Sequence, residues 1–214
     1  SALIGMQGLL FGAVVGLILG IVSALRHNTI LDYGSVVIAV LGMSIPSFIF
    51  AALMQYYIGV QLGWLPPALW EGYANTIMPS IALSVTVMAT VARFIRTEML
   101  EVLGQDYVLT ARAKGLGRAK VITKHVIRNA LIPVLTMLAP LVVSLLTGTL
   151  VIEKIFAVPG IGEQFTMSIM LNDYSVIMGI TIFYSVLFVV IIFIVDLLYG
   201  LLDPRIRLDG GEQS

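Results

Sequence analysis

Residues able to do chemistry are few in this chain, and they are unevenly placed. Twelve of its 214 residues are Lys or Arg, and Arg93, Arg96, Arg112, Lys114, Arg118, Lys120, Lys124 and Arg128 all fall in one stretch. Cysteine is absent, which excludes disulfides and thiolate metal sites. The two histidines, His27 and His125, stand too far apart in sequence to promise a metal site. No G-x-x-x-x-G-K-[ST] phosphate loop occurs, so the chain is not expected to hydrolyse ATP on its own. H-E-x-x-H and the G-x-S-x-G nucleophile elbow are missing too. Gly115-Leu116-Gly117-Arg118 has the look of a dinucleotide turn, but no strand precedes it. No cofactor, metal or nucleic-acid partner is therefore expected. The chemistry that remains is electrostatic, a dense block of positive charge offered to something else.

That block is set in a greasy chain. Apolar residues make up 59%, charged residues 11%, and mean hydropathy is +1.03. A soluble domain is nearer about 25% charged, so these residues cannot cover a globular surface and an all-α integral membrane protein is expected. No basic segment precedes the first apolar run, so it does not read as a cleavable signal. Five stretches have the length of a membrane helix, about 20 residues: Leu3–Leu25, Tyr33–Val60, Thr76–Val91, Leu131–Val151 and Tyr174–Leu202. No Lys or Arg lies between His27 and Ala92. The positive-inside rule places Arg26, Arg93–Arg128 and Arg205–Arg207 in the cytoplasm. The loops "LGWLPPALWEGYAN" and "EKIFAVPGIGEQF" then lie outside, with Trp64, Trp70 and Tyr73 at the interface. Five crossings put the N-terminus outside, which implies a further helix upstream of Ser1.

Within the spans, Gly8, Gly12, Gly16 and Gly20 lie four apart on one helix face, where a neighbour can approach closely or slide. Pro46 in "SIPSF", Pro79 and Pro140 each remove a backbone donor. Pro46 reads either as a structural kink, its freed carbonyl satisfied by Ser44 or Ser47, or as a gating hinge. Asp196 reads as an interfacial cap or, less simply, as a proton relay. Asp32 and Asp173 sit at span ends, where solvation is expected. In the second outer loop, Pro159, Gly160 and Gly162 make a tight turn between Phe156 and Phe165. It is either an interfacial turn or part of a gate at the outer mouth.

The basic segment from Gln105 to Pro133 is too long and too patterned for a simple loop. Tyr107, Val108, Ala111 and Leu116 recur at roughly helical spacing, and Asp106 can cap the helix start. Gly115-Leu116-Gly117 should break it. A second helix from about Arg118 then carries Val121, Ile122, His125, Val126 and Leu131 back to the membrane. Anchoring to anionic lipid explains the charge. It does not explain small Ala111, Ala113 and Gly115 bunched at the bend, which suits insertion into a partner's groove.

The same segment resembles the cytoplasmic loop of ABC importer permeases, whose general pattern is E-A-A, three residues, then Gly. Aligned on Gly115, the alanine positions fall at Thr110 and Ala111, and Leu109 replaces the Glu. That departure is shared by the peptide and nickel branch, where the run reads much like "DYVLTARAKGL" followed by "RNALIP". "SIPSF", "LGWLPP", "IFAVPGIG" and "DLLYGLLDPRIR" continue the resemblance, in order, over nearly the whole chain. It implies one permease domain over residues 1–214, N-terminally incomplete, of a six-helix fold lacking its first helix, with a coupling segment over 105–133. Asp106, Tyr107, Thr110, Ala111, Arg112, Ala113, Lys114, Gly115 and Leu116 would form a coupling helix seated in an ATPase subunit. The contact core would be Tyr107, Ala111, Ala113 and Gly115. Pro46, Pro159, Gly160 and Gly162 would be gate or kink positions.

The partners so implied are a second homologous permease, two ATPase subunits that hold ATP and Mg, an extracytoplasmic substrate-binding protein, and membrane lipid. The expected location is a bacterial or archaeal cytoplasmic membrane, and the expected cargo is peptide, with nickel chelates as the alternative. An ion-coupled transporter should show acids facing each other at mid-membrane, and only Asp196 comes near. A membrane enzyme needs a nucleophile–base pair, which the sequence does not offer.

Overall fold

The computed structural model describes residues 1–146 and 150–202, save the side chains of residues 139, 143, 146, 195, 196 and 198–202. The chain is all-helical. In order it runs α1 (Ala2–Leu25), α2 (Ile30–Ser44), α3 (Ser47–Met54) with a π-helical continuation (Gln55–Gln61), and α4 (Ala74–Leu103). Then come α5 (Asp106–Ala113), α6 (Arg118–Val121), a π-helical turn (Ile122–Ile127) and α7 (Arg128–Leu146). The chain continues with α8 (Leu150–Ile155), α9 (Ile161–Met170) and α10 (Tyr174–Leu202). Among the described residues four helices are long and apolar enough to cross a bilayer, and five if the bent pair α2–α3 counts as one span.

That bend corrects the expectation of one long span from Tyr33 to Val60. The two halves meet at 97°. A residue before proline is pushed out of the helical region, and Ile45 is accordingly extended (φ −89°, ψ 118°). Pro46 then starts α3, and its carbonyl accepts the Ile49 and Phe50 amides at 3.0 and 3.3 Å. Ser44 does not satisfy the carbonyl that Pro46 frees, as expected of it; its hydroxyl donates to Val40 O at 2.7 Å. Pro46 therefore breaks the helix outright. Pro79, Pro133 and Pro140 lie inside α4 and α7 without ending them.

The third span is longer than hydropathy alone indicates. Beyond Val91 the sequence turns polar, but Ala92, Ile95 and Met99 keep an apolar stripe at helical spacing, and all three are buried. At 1.5 Å per residue the 30 residues of α4 measure about 45 Å, against about 30 Å of hydrocarbon. An untilted helix of that length outreaches the hydrocarbon by about 15 Å, and Arg93 and Arg96 lie in its C-terminal half.

The contact that organises the fold is α1 on α4. A Cβ built on Gly8, Gly12 or Gly16 would stand 2.9, 2.6 and 2.6 Å from the carbonyl oxygens of Ser80, Ser84 and Met88. Gly20 lies closer still, against Ala92 O and Ile95. The two backbones touch along four turns because these positions have no side chain. The glycine face expected from spacing is thus a packing face.

The ends of the bundle sort by charge. Around the start of α1, Ile161 N–H donates to Ser1 Oγ at 3.0 Å and Leu69 N–H to Phe156 O at 3.0 Å. There too Gln55 Nε2 donates to Ile155 O at 2.7 Å and to Pro67 O at 2.9 Å. Both loops read as external therefore share one end. Arg26, Arg96 and residues 105–129 occupy the other. Arg205, Arg207 and the side chain of Asp196 lie outside the described residues.

Candidate coupling elbow and outer loop

Local chemistry builds the elbow. Gln105 is extended (φ −75°, ψ 145°) and takes the N-cap position. Asp106 is the first helical residue and makes no capping hydrogen bond, which corrects its expected role. It still contributes negative charge at the positive end of the helix dipole. α5 lasts eight residues and stops where Gly115 adopts φ +79°. Gly115 N–H donates to Arg112 O at 2.9 Å, and Leu116 N–H to Ala111 O at 3.3 Å. Those two bonds make a Schellman cap, with Leu116 folded back against the apolar core. A Cβ on Gly115 would meet nothing within 4 Å, so the glycine is there for its backbone angle and not for space.

α5 has two faces. Val108 and Ala111 are buried in the core with Met99, Val121 and Val126. Tyr107, Thr110, Arg112, Ala113, Lys114 and Gly115 are exposed. The expected contact core of Tyr107, Ala111, Ala113 and Gly115 is therefore split. Ala111 faces inward on this chain and supports the elbow from beneath, while the other three are open. Asn129 Nδ2 donates to Tyr107 Oη at 3.1 Å and to His125 O at 2.7 Å, tying α5 to the returning helix. Arg112, Lys114, Arg118, Lys120, Lys124 and Arg128 are all exposed, and none pairs with a carboxylate among the described residues. The result is a stiff, cationic, unneutralised projection.

Two acids, one expected in solvent and one given no role, are buried. Asp32, expected in solvent, is 1% exposed and is bound by Arg96 Nε at 2.7 Å and Arg96 Nη2 at 3.0 Å. Glu153, in the outer loop, is 0% exposed. Its Oε2 accepts Gly162 N–H at 3.1 Å, and its Oε1 lies 3.8 Å from the Ser1 nitrogen. This explains both glycines of "PGIG". A Cβ on Gly160 would run into the Glu153 carboxylate, and one on Gly162 would lie 2.8 Å from Oε2. The turn is closed by Gly160 N–H to Val158 O at 2.8 Å, with Ala157 at φ +51°. Phe156 is buried beneath it, whereas Phe165 meets Tyr184 edge-on at 6.4 Å. Pro159, Gly160 and Gly162 thus form a turn wrapped around a buried carboxylate. Pro46 is remote from it in sequence and marks the α2–α3 break. The described residues contain no cluster of acids, histidines or cysteines able to hold a metal.

A bundle with, among the described residues, four or five apolar helices or bent pairs long enough to cross a bilayer defines a multi-pass membrane protein. The chain belongs to the family of binding-protein-dependent transport system inner membrane components, whose family model matches residues 16–208. It is 52% identical over 205 residues to the dipeptide transport system permease protein DppB of Bacillus subtilis, covering 96% of this chain and 67% of that one. The DppB of Lactococcus lactis is 48% identical over 208 residues, covering 97% and 69%. The oligopeptide transport system permease protein OppB of Salmonella typhimurium is 39% identical over 209 residues, covering 97% and 68%. Among solved structures, an amino acid ABC transporter crystallised with histidines matches with a TM-score of 0.69. At 16% identity, covering 92% of this chain and 87% of that one, the likeness shows the fold alone.

Proposed function

We propose that the chain is a permease subunit of an ATP-driven peptide importer, with α5 and its glycine cap as the element through which a separate ATPase acts on the membrane helices. The observation that carries this is the elbow itself. It has an exposed face of Tyr107, Thr110, Ala113 and Lys114 over a buried face of Val108 and Ala111, which roots it in the same core as α4. A force applied to the exposed face reaches α4 through close packing, because cores yield little. Arg112, Lys114 and Arg118 supply charge for an acidic cleft rim, while Lys120, Lys124 and Arg128 stand where α7 begins and suit lipid headgroups. The chain itself carries no phosphate loop, so ATP and Mg are held by two ATPase partners. A second permease and an extracytoplasmic receptor complete the assembly in the cytoplasmic membrane. Peptide as cargo is supported by the names of the relatives.

The test is Ala113→Asp, which places a bulkier, negative group on the open face without entering the core. Membrane insertion stays normal, while ATPase co-purification and uptake of a labelled dipeptide are lost. Normal values for both would end the coupling assignment. Uptake that follows ATP and survives collapse of ion gradients separates this reading from an ion-coupled carrier.

A further inference from the structure

Asp32 is buried and Arg96 is partly buried, its side chain 24% exposed, at the elbow end of a helix interface that is largely apolar. Arg96, on α4, presents Nε and Nη2 to the two oxygens of Asp32, on α2, at 2.7 and 3.0 Å. Ser23 of α1 donates to Asp32 Oδ1, and the Asn28 amide to Oδ2 at 2.9 Å. His27 Nδ1 lies 3.1 Å from Oδ2 and 3.3 Å from Arg96 Nη2. Ser23 of α1, the loop residues His27 and Asn28, and Arg96 of α4 thus converge on one carboxylate of α2. Among the described residues no other Lys or Arg side chain pairs with an acid.

What this does follows from the interface outward of it. Gly8, Gly12, Gly16 and Gly20 meet the carbonyls of Ser80, Ser84, Met88 and Ala92. Both series repeat every four residues. Sliding α1 along α4 by one repeat, about 6 Å, sets each glycine over the next carbonyl, so the apolar contact does not define its own register. Two polar contacts do. One is a single neutral hydrogen bond, Ser80 Oγ to Gln7 Oε1 at 2.9 Å. The other is the bidentate pair of α2 and α4, tied to α1 through Ser23, which a slide would part into a buried carboxylate and a distant guanidinium. Fixing register is the best-attested use of a buried ion pair.

We propose that Asp32 and Arg96 form a register pin that locks α4 to α1 and α2, so that the elbow and these three helices move as one body. Arg96 lies seven residues before Leu103, the last residue of α4, about 10 Å along the axis. Movement applied at α5 therefore meets the pin before it meets the glycine interface. Asp32 and Arg96 are positioning residues. That they act on the transport cycle rests on the elbow being the coupled element.

The chain has no cysteine, so the test is cross-linking of Gln7→Cys with Ser80→Cys in the whole importer, with and without ATP. These substitutions also remove the second polar contact and leave the pin alone to set the register. With the pin intact, the cross-link forms equally in both conditions. With Asp32→Asn and Arg96→Gln combined, no charge is stranded and the protein still assembles. The initial cross-linking rate then falls by about two- to threefold as the population spreads over the native register and those one repeat to either side, and it varies with nucleotide. Unchanged, nucleotide-independent cross-linking in that variant overturns the pin. Should it fail to accumulate, Asp32→Asn alone removes the ion pair while Arg96 keeps its partial exposure to solvent, and native cross-linking in that variant overturns the pin equally. Ala113→Asp with the pin intact tests the elbow separately. If it leaves transport normal, the coupling assignment fails while the register result stands.

Discussion

Substituting alanine along the α1 glycine face should cost stability in an order set by the structure. Ordinary van der Waals contact begins near 3.4 Å, and the Cβ of Gly12→Ala would stand 2.6 Å from Ser84 O and 2.8 Å from Val87 Cβ. Relief requires α1 to withdraw by roughly 0.8 Å, and a gap of 0.5–1 Å already forfeits a quarter to a half of each dispersion contact. Overpacking of this kind costs about 1–3 kcal/mol. Against it stands the gain of replacing glycine by alanine in a helix, up to about 1 kcal/mol. Gly34 isolates that gain, because it lies in α2 with nothing within 4 Å of a built Cβ. Gly34→Ala should therefore be neutral or mildly stabilising, and Gly12→Ala should fall about 1–3 kcal/mol below it. The series should worsen from Gly8, at 2.9 Å, through Gly12 and Gly16, both at 2.6 Å, to Gly20, which is tighter still. The assay is the thermal midpoint of the purified protein in one detergent. Equal midpoints for the Gly34 and Gly20 variants, or a reversed order along the face, would refute backbone contact as what joins α1 to α4.

Two further outcomes test the loops. Gly115→Ala forces a left-handed alanine, at about 1–2 kcal/mol, so amide exchange across α5 should quicken roughly 5- to 30-fold. Gly117→Ala, at φ −59° and in open space, should change nothing. In the outer loop Gly160→Ala should lower the thermal midpoint by displacing the Glu153 carboxylate from Gly162 N–H. Adding Glu153→Ala should then cost less than the two single effects summed, with a coupling of about 1 kcal/mol or more. Simple additivity would show that Gly160 does not make room for Glu153.

The elbow was legible in sequence because its determinants are local. Gly115 announces the left-handed turn, and the charges around it announce an exposed surface. Its faces were less legible. Helical spacing groups Tyr107 with Val108 and Ala111, and only the position of Met99, Val121 and Val126 shows that Tyr107 points away from the core. Asp106 missed the cap by one residue, the ordinary uncertainty of helix boundaries. The buried acids were illegible for a different reason. Asp32 finds Arg96 64 positions away, and no local pattern joins them, so an acid at a span end reads as solvated. Glu153 left a fainter trace. It precedes Gly160 and Gly162, neither of which has a positive φ, and a turn glycine that its backbone angle does not require marks a place where something bulky must fit.

Hydropathy located the spans but could not orient them about their axes, because lipid-facing and buried positions are equally apolar. On α1 and α2 size largely separates them instead. Their buried positions include Gly8, Gly12, Gly16, Gly20, Ala39 and Gly42, set against an α4 that also buries Met78, Leu83, Val87, Val91, Ile95 and Met99. The exposed positions of α1 and α2 include Leu10, Phe11, Val14, Ile18, Val37 and Leu41. This inverts the soluble pattern. Where the surroundings are as apolar as the interior, burying a large side chain yields little, and close backbone approach through small residues provides the attraction. α10 follows from the same rule. Its described apolar side chains are nearly all large, Gly179 has nothing within 4 Å of a built Cβ, and Met178, Ile182, Val186, Val189 and Phe193 stand exposed. Lacking a face of small residues in contact, α10 packs chiefly against α7 and α9 among the described residues, and most of its described surface is left to whatever surrounds the chain.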